Sequence, residues 1–225
     1  MGRTIAIPTD GLHCIGAWRA DPAVAPRGGV VVVQEVFGVN AHVRGVAERF
    51  AAAGYVAIAP AMFDFAESGV ELGYDENGVT RGRTLAAEVG FERAVSAVAS
   101  AAQAINSAGT IGVVGYCWGG TVAFLACTRL GLPAVNYYGA RSVPFLHETP
   151  RAALLCHFGE RDPLIPAETV QAHRAALNTA QIHVYPAGHA FNREVDPHHY
   201  DASSSQLAFE RTLAFFAQHL DRAQS

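Results

Sequence analysis

Four stretches of the chain are continuous apolar runs rather than alternating ones: GGVVVVQEV from Gly28, YVAIAP from Tyr55, TIGVVG from Thr110 and AALLCHFG ending at Gly159. β-Branched runs of this kind suit strands buried on both faces of a parallel sheet. PAVNYYG and IHVYP, starting at Pro133 and Ile182, add two shorter strands. Between the runs the apolar spacing changes to that of a helix. NAHVRGVAERFAAAG is amphipathic, with Asn40 as N-cap and Gly54 as C-cap. Further helices are predicted over residues 83–107, 118–130, 167–178 and 203–220. At the N-terminus, TIAIP and HCIGAWRA read as a hairpin turned on TDG, residues 9–11. Residues 61–82, rich in Gly, Asp and Glu, read as an irregular loop of functional size.

Strands alternating with helices predict a mostly parallel sheet covered on both faces, within one α/β domain spanning residues 1–225. There is no internal repeat, low-complexity tract or long linker. Ligands of such sheets bind beyond the carboxyl ends of the strands.

Composition narrows the classes. Half of the 225 residues are hydrophobic, the net charge is −4 and the pI is about 6.2, so neither nucleic acid nor an anionic membrane is an expected partner. All 16 basic residues are arginine, which removes P-loop lysines, Schiff-base lysines and serine–lysine dyads. The four cysteines, Cys14, Cys117, Cys127 and Cys156, show no metal or disulfide spacing, and Cys127 and Cys156 lie in apolar runs. No cofactor motif or metal-ligand set is present. With no signal-peptide pattern and no membrane-length run, the expectation is a reduced, cytoplasmic protein, monomeric or homodimeric.

One segment carries distinctive chemistry. GYCWGG, residues 115–120, sits between the run ending at Gly115 and a helical run, giving G-x-nucleophile-x-G at a strand–turn–helix junction. Cys117 at such a junction also meets the positive end of the helix. The alternative is a Rossmann-like glycine turn with a buried cysteine. A nucleophile needs a base, and the base an orienting acid. Both follow in the order expected of a nucleophile elbow: Asp162 in HFGERDPLIP and His189 in YPAGHAF, each just past a strand. Glu160 competes with Asp162 but reads as a solvated turn residue. Among the other histidines, His157 reads as core or a neighbour of the site, His183 alternates along a strand, and His198 and His199 lack metal-ligand spacing. Glu35, at the end of an apolar run, reads as a buried pair with Arg44 or another arginine, or as part of the site.

These residues together resemble the dienelactone hydrolase (carboxymethylenebutenolidase) family of the α/β-hydrolase fold. The resemblance rests on QEVFGVN at 34–40, GYCWGG, NYYG at 136–139, GERDPLIP at 159–166 and GHAFNR at 188–193. It implies a Cys117–His189–Asp162 triad cleaving a small anionic lactone or ester through an acyl-cysteine. It further implies that Glu35 holds the thiol and influences its protonation, leaving Cys117 a protected thiol until substrate binds. Topology places the oxyanion donors at the N–H groups of Val36 and Trp118. A substrate carboxylate would meet Arg193 and Arg81, with Arg83 as the rival of Arg81. Two departures concern the substrate: Ala190 replaces the serine common after the histidine, and AMFDFAESG replaces an acidic–aromatic segment. Tyr137 and Tyr138 fit both a pocket and plain strand packing. A general carboxylesterase or thioesterase, or a non-catalytic small-molecule-binding protein, are the alternatives.

Overall fold

The chain runs through β1 (Arg3–Pro8), β2 (Cys14–Ala20), β3 (Gly29–Val33), α1 (Ala41–Ala52), β4 (Val56–Pro60), α2 (Glu76–Ala104), β5 (Ile111–Tyr116), α3 (Trp118–Leu130), β6 (Ala134–Tyr137), β7 (Leu154–Gly159), α4 (Ala167–Ala176), β8 (Gln181–Tyr185) and α5 (Ala202–Leu220) in a computed structural model that describes residues 2–9 and 13–221. The strands form one sheet in the order β1-β2-β4-β3-β5-β6-β7-β8. β1 and β2 pair antiparallel, as do β2 and β4, and every other pairing is parallel. This is the expected mostly parallel α/β sheet, and it is the α/β-hydrolase fold. The hairpin forms, but most of its expected turn falls on residues 10–12, outside the described residues.

The four valines of β3 are fully buried, each contributing roughly 1.5–3 kcal/mol of hydrophobic stabilisation. Burial on both faces follows from the helices. α1 and α5 pack on each other through Phe50, Phe209 and Phe216. α2 packs on α3 through Phe91 and Trp118. Strand order reverses at β3, which lies between β4 and β5. The crevice at such a switch point is where open α/β sheets bind ligands. Among the described residues, no helix is long and apolar enough to cross a membrane.

Three sequence expectations need correction. β3 ends at Val33, so Gln34 and Glu35 lie beyond it. Gln34 pins that turn: its side chain accepts from the Met62 N–H at 3.1 Å and donates to the Glu35 carbonyl at 3.2 Å. Gly54, with φ 97°, lies one residue past the cap of α1, which is Ala53. The third concerns residues 61–82, which are largely ordered. A 3-10 turn spans Met62–Phe65, and α2 starts at Glu76, capped by the Asp75 side chain accepting from Gly78 N at 2.7 Å. Gly78 and Gly82 look like helix breakers in sequence but serve close packing. A Cβ on Gly82 would lie 1.8 Å from the Val36 carbonyl oxygen. Arg81 and Arg83 therefore sit on a helix. That helix kinks at Gly90 (φ 69°, ψ 167°).

Candidate active site

Cys117 stands between β5 and α3 at φ 55° and ψ −116°. A non-glycine residue there stores strain of order 1–3 kcal/mol. Three contacts hold it. Its N–H donates to the Tyr137 carbonyl at 3.0 Å, its carbonyl accepts from Gly120 at 3.0 Å, and the flanking glycines let α3 come close. A Cβ on Gly115 would lie 1.8 Å from the Gly119 carbonyl, and one on Gly119 only 2.4 Å from the Gln34 carbonyl. The glycines of GYCWGG thus bring the start of α3 against the turn after β3. Neither the Trp118 nor the Val36 N–H donates a hydrogen bond among the described residues. Of the four cysteines, Cys127 and Cys156 are buried and Cys117 is partly accessible.

His189 follows β8 and Asp162 follows β7. His189 Nδ1 donates to Asp162 Oδ2 at 2.7 Å, while Asp162 Oδ1 accepts from Leu164 N at 2.8 Å. Asp162 is buried and Glu160 exposed, which separates the two acids as the sequence suggested. Among the described residues the far nitrogen of the ring, Nε2, meets no full hydrogen-bond geometry, although the Cys117 thiol is near enough to act on the ring. Burial alone would lower the His189 pKa. Asp162 and the neighbouring Cys117 outweigh burial and push it up to about 10. Ala190 takes φ 60°, so the backbone after the histidine is strained as well.

Glu35 is 1 % exposed, and both of its oxygens accept from Arg193, from Nε at 3.0 Å and NH2 at 2.9 Å. Arg193 NH1 donates to Asp196 at 3.0 Å, and its guanidinium lies over the rings of Phe37 and Tyr74. Burial would raise the Glu35 pKa, but Arg193 holds it below the usual carboxylate range. The expected buried pair with an arginine is present, and of the alternatives the partner is Arg193, while Arg44 pairs with Glu71; among the described residues Glu35 makes no hydrogen bond to the Cys117 thiol. Arg193 reaches the cavity, yet three of its five N–H groups are already committed to carboxylates.

A cavity of about 560 Å³ opens beside Cys117. His189, Val36, Trp118 and Arg193 line it together with Cys117, so most of the anticipated site converges there. Of the two candidate substrate-binding arginines on α2, Arg83 lines the cavity; Arg81 does not, and pairs with Glu67. Trp118 stacks on Phe91 and forms part of the wall. Tyr137 and Tyr138 are fully buried and off that wall; Tyr138, at φ 41°, packs edge-on against His189. His157 is a core residue bonded to Tyr185 and Thr212.

Sequence reading missed four contributors: Asp196, Tyr74, Arg141 and His199. Arg141 and His199 line the cavity, and His199 Nδ1 bonds Asp196 at 2.8 Å. Tyr74 carried no sequence signal; its hydroxyl accepts from Asn40 Nδ2 at 2.9 Å. His42 is a further buried group near Glu35, its pKa lowered chiefly by burial.

The chain is similar to known proteins over most of its length. The model of the dienelactone hydrolase family matches residues 15–220. The carboxymethylenebutenolidase of Pseudomonas putida is 33% identical, covering 91% of this chain and 92% of its own. That of Pseudomonas knackmussii gives the same figures. A crystal structure of a candidate dienelactone hydrolase from Klebsiella pneumoniae superposes with a TM-score of 0.86 at 30% identity, covering 97% of this chain and 99% of that one. A dienelactone hydrolase-like promiscuous phosphotriesterase from metagenomic libraries, 23% identical with a TM-score of 0.78, shares the fold.

Proposed function

The chain belongs to the dienelactone hydrolase family and is a carboxylic ester hydrolase, and from that premise we propose that it cleaves small anionic lactones or esters through an acyl intermediate on Cys117, with His189 and Asp162 completing the triad. The observation that carries this reading is the strained elbow at Cys117 beside a histidine whose Nδ1 is bonded to a buried aspartate and whose Nε2 meets no full hydrogen-bond geometry among the described residues.

The chemistry follows from charge and reach. The one proton shared by Cys117 and His189 rests on or passes to His189 Nε2 as Cys117 Sγ attacks the ester carbonyl carbon and forms a C–S bond. The developing oxyanion accepts from the N–H groups of Val36 and Trp118, which have no other acceptor among the described residues. As the C–O bond breaks, the leaving oxygen takes a proton from His189 Nε2. Because Asp162 helps keep the imidazole basic, His189 then takes a proton from water, which attacks the thioester. The C–S bond breaks, the carboxylic acid departs and the proton returns to the sulfur–imidazole pair. In a lactone the leaving oxygen stays tethered, so the product is one ring-opened acid.

Turnover of dienelactone beside a neutral aryl ester, for the native protein and Cys117→Ala, tests this. The expected outcome is activity on dienelactone that Cys117→Ala abolishes. Turnover of the neutral ester alone would remove the substrate assignment and leave the triad. Equal activity of Cys117→Ala and native protein would remove both.

A further inference from the structure

We propose that Arg141, with Arg83, forms a double carboxylate site in the cavity, so that an ester or lactone carrying two free carboxylates is opened at Cys117 in preference to one carrying fewer. This rests on the hydrolase reading above and adds a substrate class to it.

The cavity wall holds three arginines and two histidines and not one Asp or Glu, in a chain with 20 acidic residues against 16 basic ones. Part of that positive charge is matched from behind. Arg193 is bonded to Glu35 and Asp196, His199 to Asp196, and His189 to Asp162. Arg83 and Arg141 differ: both are exposed, and neither makes an ion pair or hydrogen bond among the described residues. Both residues line the cavity and reach solvent, so a carboxylate entering there would meet two cations that no protein counter-charge occupies. A guanidinium offers its planar fork to a carboxylate bidentately.

The two cations stand on separate elements. Arg83 is on α2, and Arg141 is on the 3-10 turn Ala140–Phe145 that follows β6. Phe91 of α2 fixes these elements relative to each other, meeting Phe145 edge-on at 5.4 Å and stacking on Trp118 at 6.2 Å. The nearby wall from the same elements is apolar, with Val79, Ala86 and Ala140. That combination fits a short hydrocarbon bearing a carboxylate for each arginine, with the scissile ester reaching Cys117.

The test compares kcat/KM for the phenyl esters of acetate, succinate and tricarballylate, which carry zero, one and two free carboxylates. The native protein is expected to favour the tricarballylate ester over the acetate ester. In Arg141→Gln that ratio should fall about 10- to 100-fold, the range for losing one hydrogen-bonded charge. Arg83→Gln should lower it similarly. An unchanged ratio, or a native protein indifferent to added carboxylates, overturns the double site. A second measurement separates this from the hydrolase reading: calorimetric titration of Cys117→Ala with succinate and with acetate. If neutral esters turn over through Cys117 but succinate binds no better than acetate, the double site fails and the hydrolase stands. If succinate binds through both arginines while no ester is turned over, the hydrolase reading fails, taking the substrate class with it, and only an anion site is left.

Discussion

Arg193 and Glu35, 158 residues apart in the chain, close into a bidentate buried pair at 3.0 and 2.9 Å, and Asp196 takes a third donor of the same guanidinium. This pair ties the turn after β3 to the segment after β8, the two ends of the candidate site. Removing one partner of a buried pair strands the other charge, at a cost of about 3–5 kcal/mol. Arg193→Met should approach that cost, because it strands Glu35 outright. Glu35→Gln should cost less, because Asp196 remains. The double variant should regain part of the loss. Urea unfolding with matched m-values checks the order. The Glu35 pKa is lowered in the fold, so its contribution is present above the ordinary carboxylate pKa and is lost as pH falls through the lowered value.

His189 should keep its proton well past neutrality. Its pKa is raised to about 10 against an ordinary 6.5, so the stability it contributes is full below pH 6.5 and is lost as pH rises toward 10. Ring-proton or ring-nitrogen NMR of the native protein should show a titration far above 6.5. Asp162→Asn removes the strongest influence opposing burial and should move the titration down. A native midpoint near 6.5 would contradict the coupling to Asp162 and Cys117.

The directions of the hydrogen bonds around His157 follow from proton supply alone. Arg211 can only donate, so the Tyr185 hydroxyl accepts from it at 3.1 Å and gives its own proton to His157 Nδ1 at 2.7 Å. His157 Nε2 then donates to Thr212 Oγ1 at 3.1 Å, whose own proton goes to the Ala208 carbonyl. Tyr137 donates to the same oxygen at 2.7 Å. His157→Leu leaves buried partners unpaired and should cost about 1–3 kcal/mol for each. Burial holds the His157 pKa well below 6.5. The unfolded chain therefore takes the proton first, and the native protein loses stability as pH falls below 6.5. The stability gap between native protein and His157→Leu should narrow from pH 8 to pH 5.5 in urea melts.

Gly82 and Gly45 should respond to alanine in opposite ways. At Gly82 the new Cβ would collide with the Val36 carbonyl at 1.8 Å and displace the segment that carries one proposed oxyanion donor. kcat should fall toward the roughly 10²–10³-fold loss of a missing donor. At Gly45, on α1, nothing lies within 4 Å, and alanine should stabilise the helix by roughly 0.5–1 kcal/mol without slowing turnover. Steady-state kinetics and thermal melts of the two variants separate these effects.

Much of this architecture was legible in sequence where local chemistry and tertiary packing agree. The valine run of β3, Asn40 as a cap and the glycines around Cys117 each carry one strong local signal. Asp162 and His189 were found because chain order ties them to the elbow. The α2 boundary was misread because Gly82 obeys the packing of the distant Val36 carbonyl, and Gly78 that of the Gly73 carbonyl just before the helix, rather than helix propensity. The roles of Arg81, Arg83 and Arg141 were hidden for a related reason. Whether an arginine pairs with Glu67 or faces a cavity depends on helix phase and on groups remote in sequence. The Glu35–Arg193 pair was half visible: the buried charge was evident, its partner was not.

The most direct measurement is a rapid-quench single turnover of the native protein with a small aryl ester, followed by peptide mass spectrometry across Cys14, Cys117, Cys127 and Cys156. The expected result is a transient acyl group on Cys117 alone, forming and decaying at the rates of turnover. Turnover with no acyl-cysteine, or with acylation confined to another cysteine, would contradict Cys117 as the nucleophile.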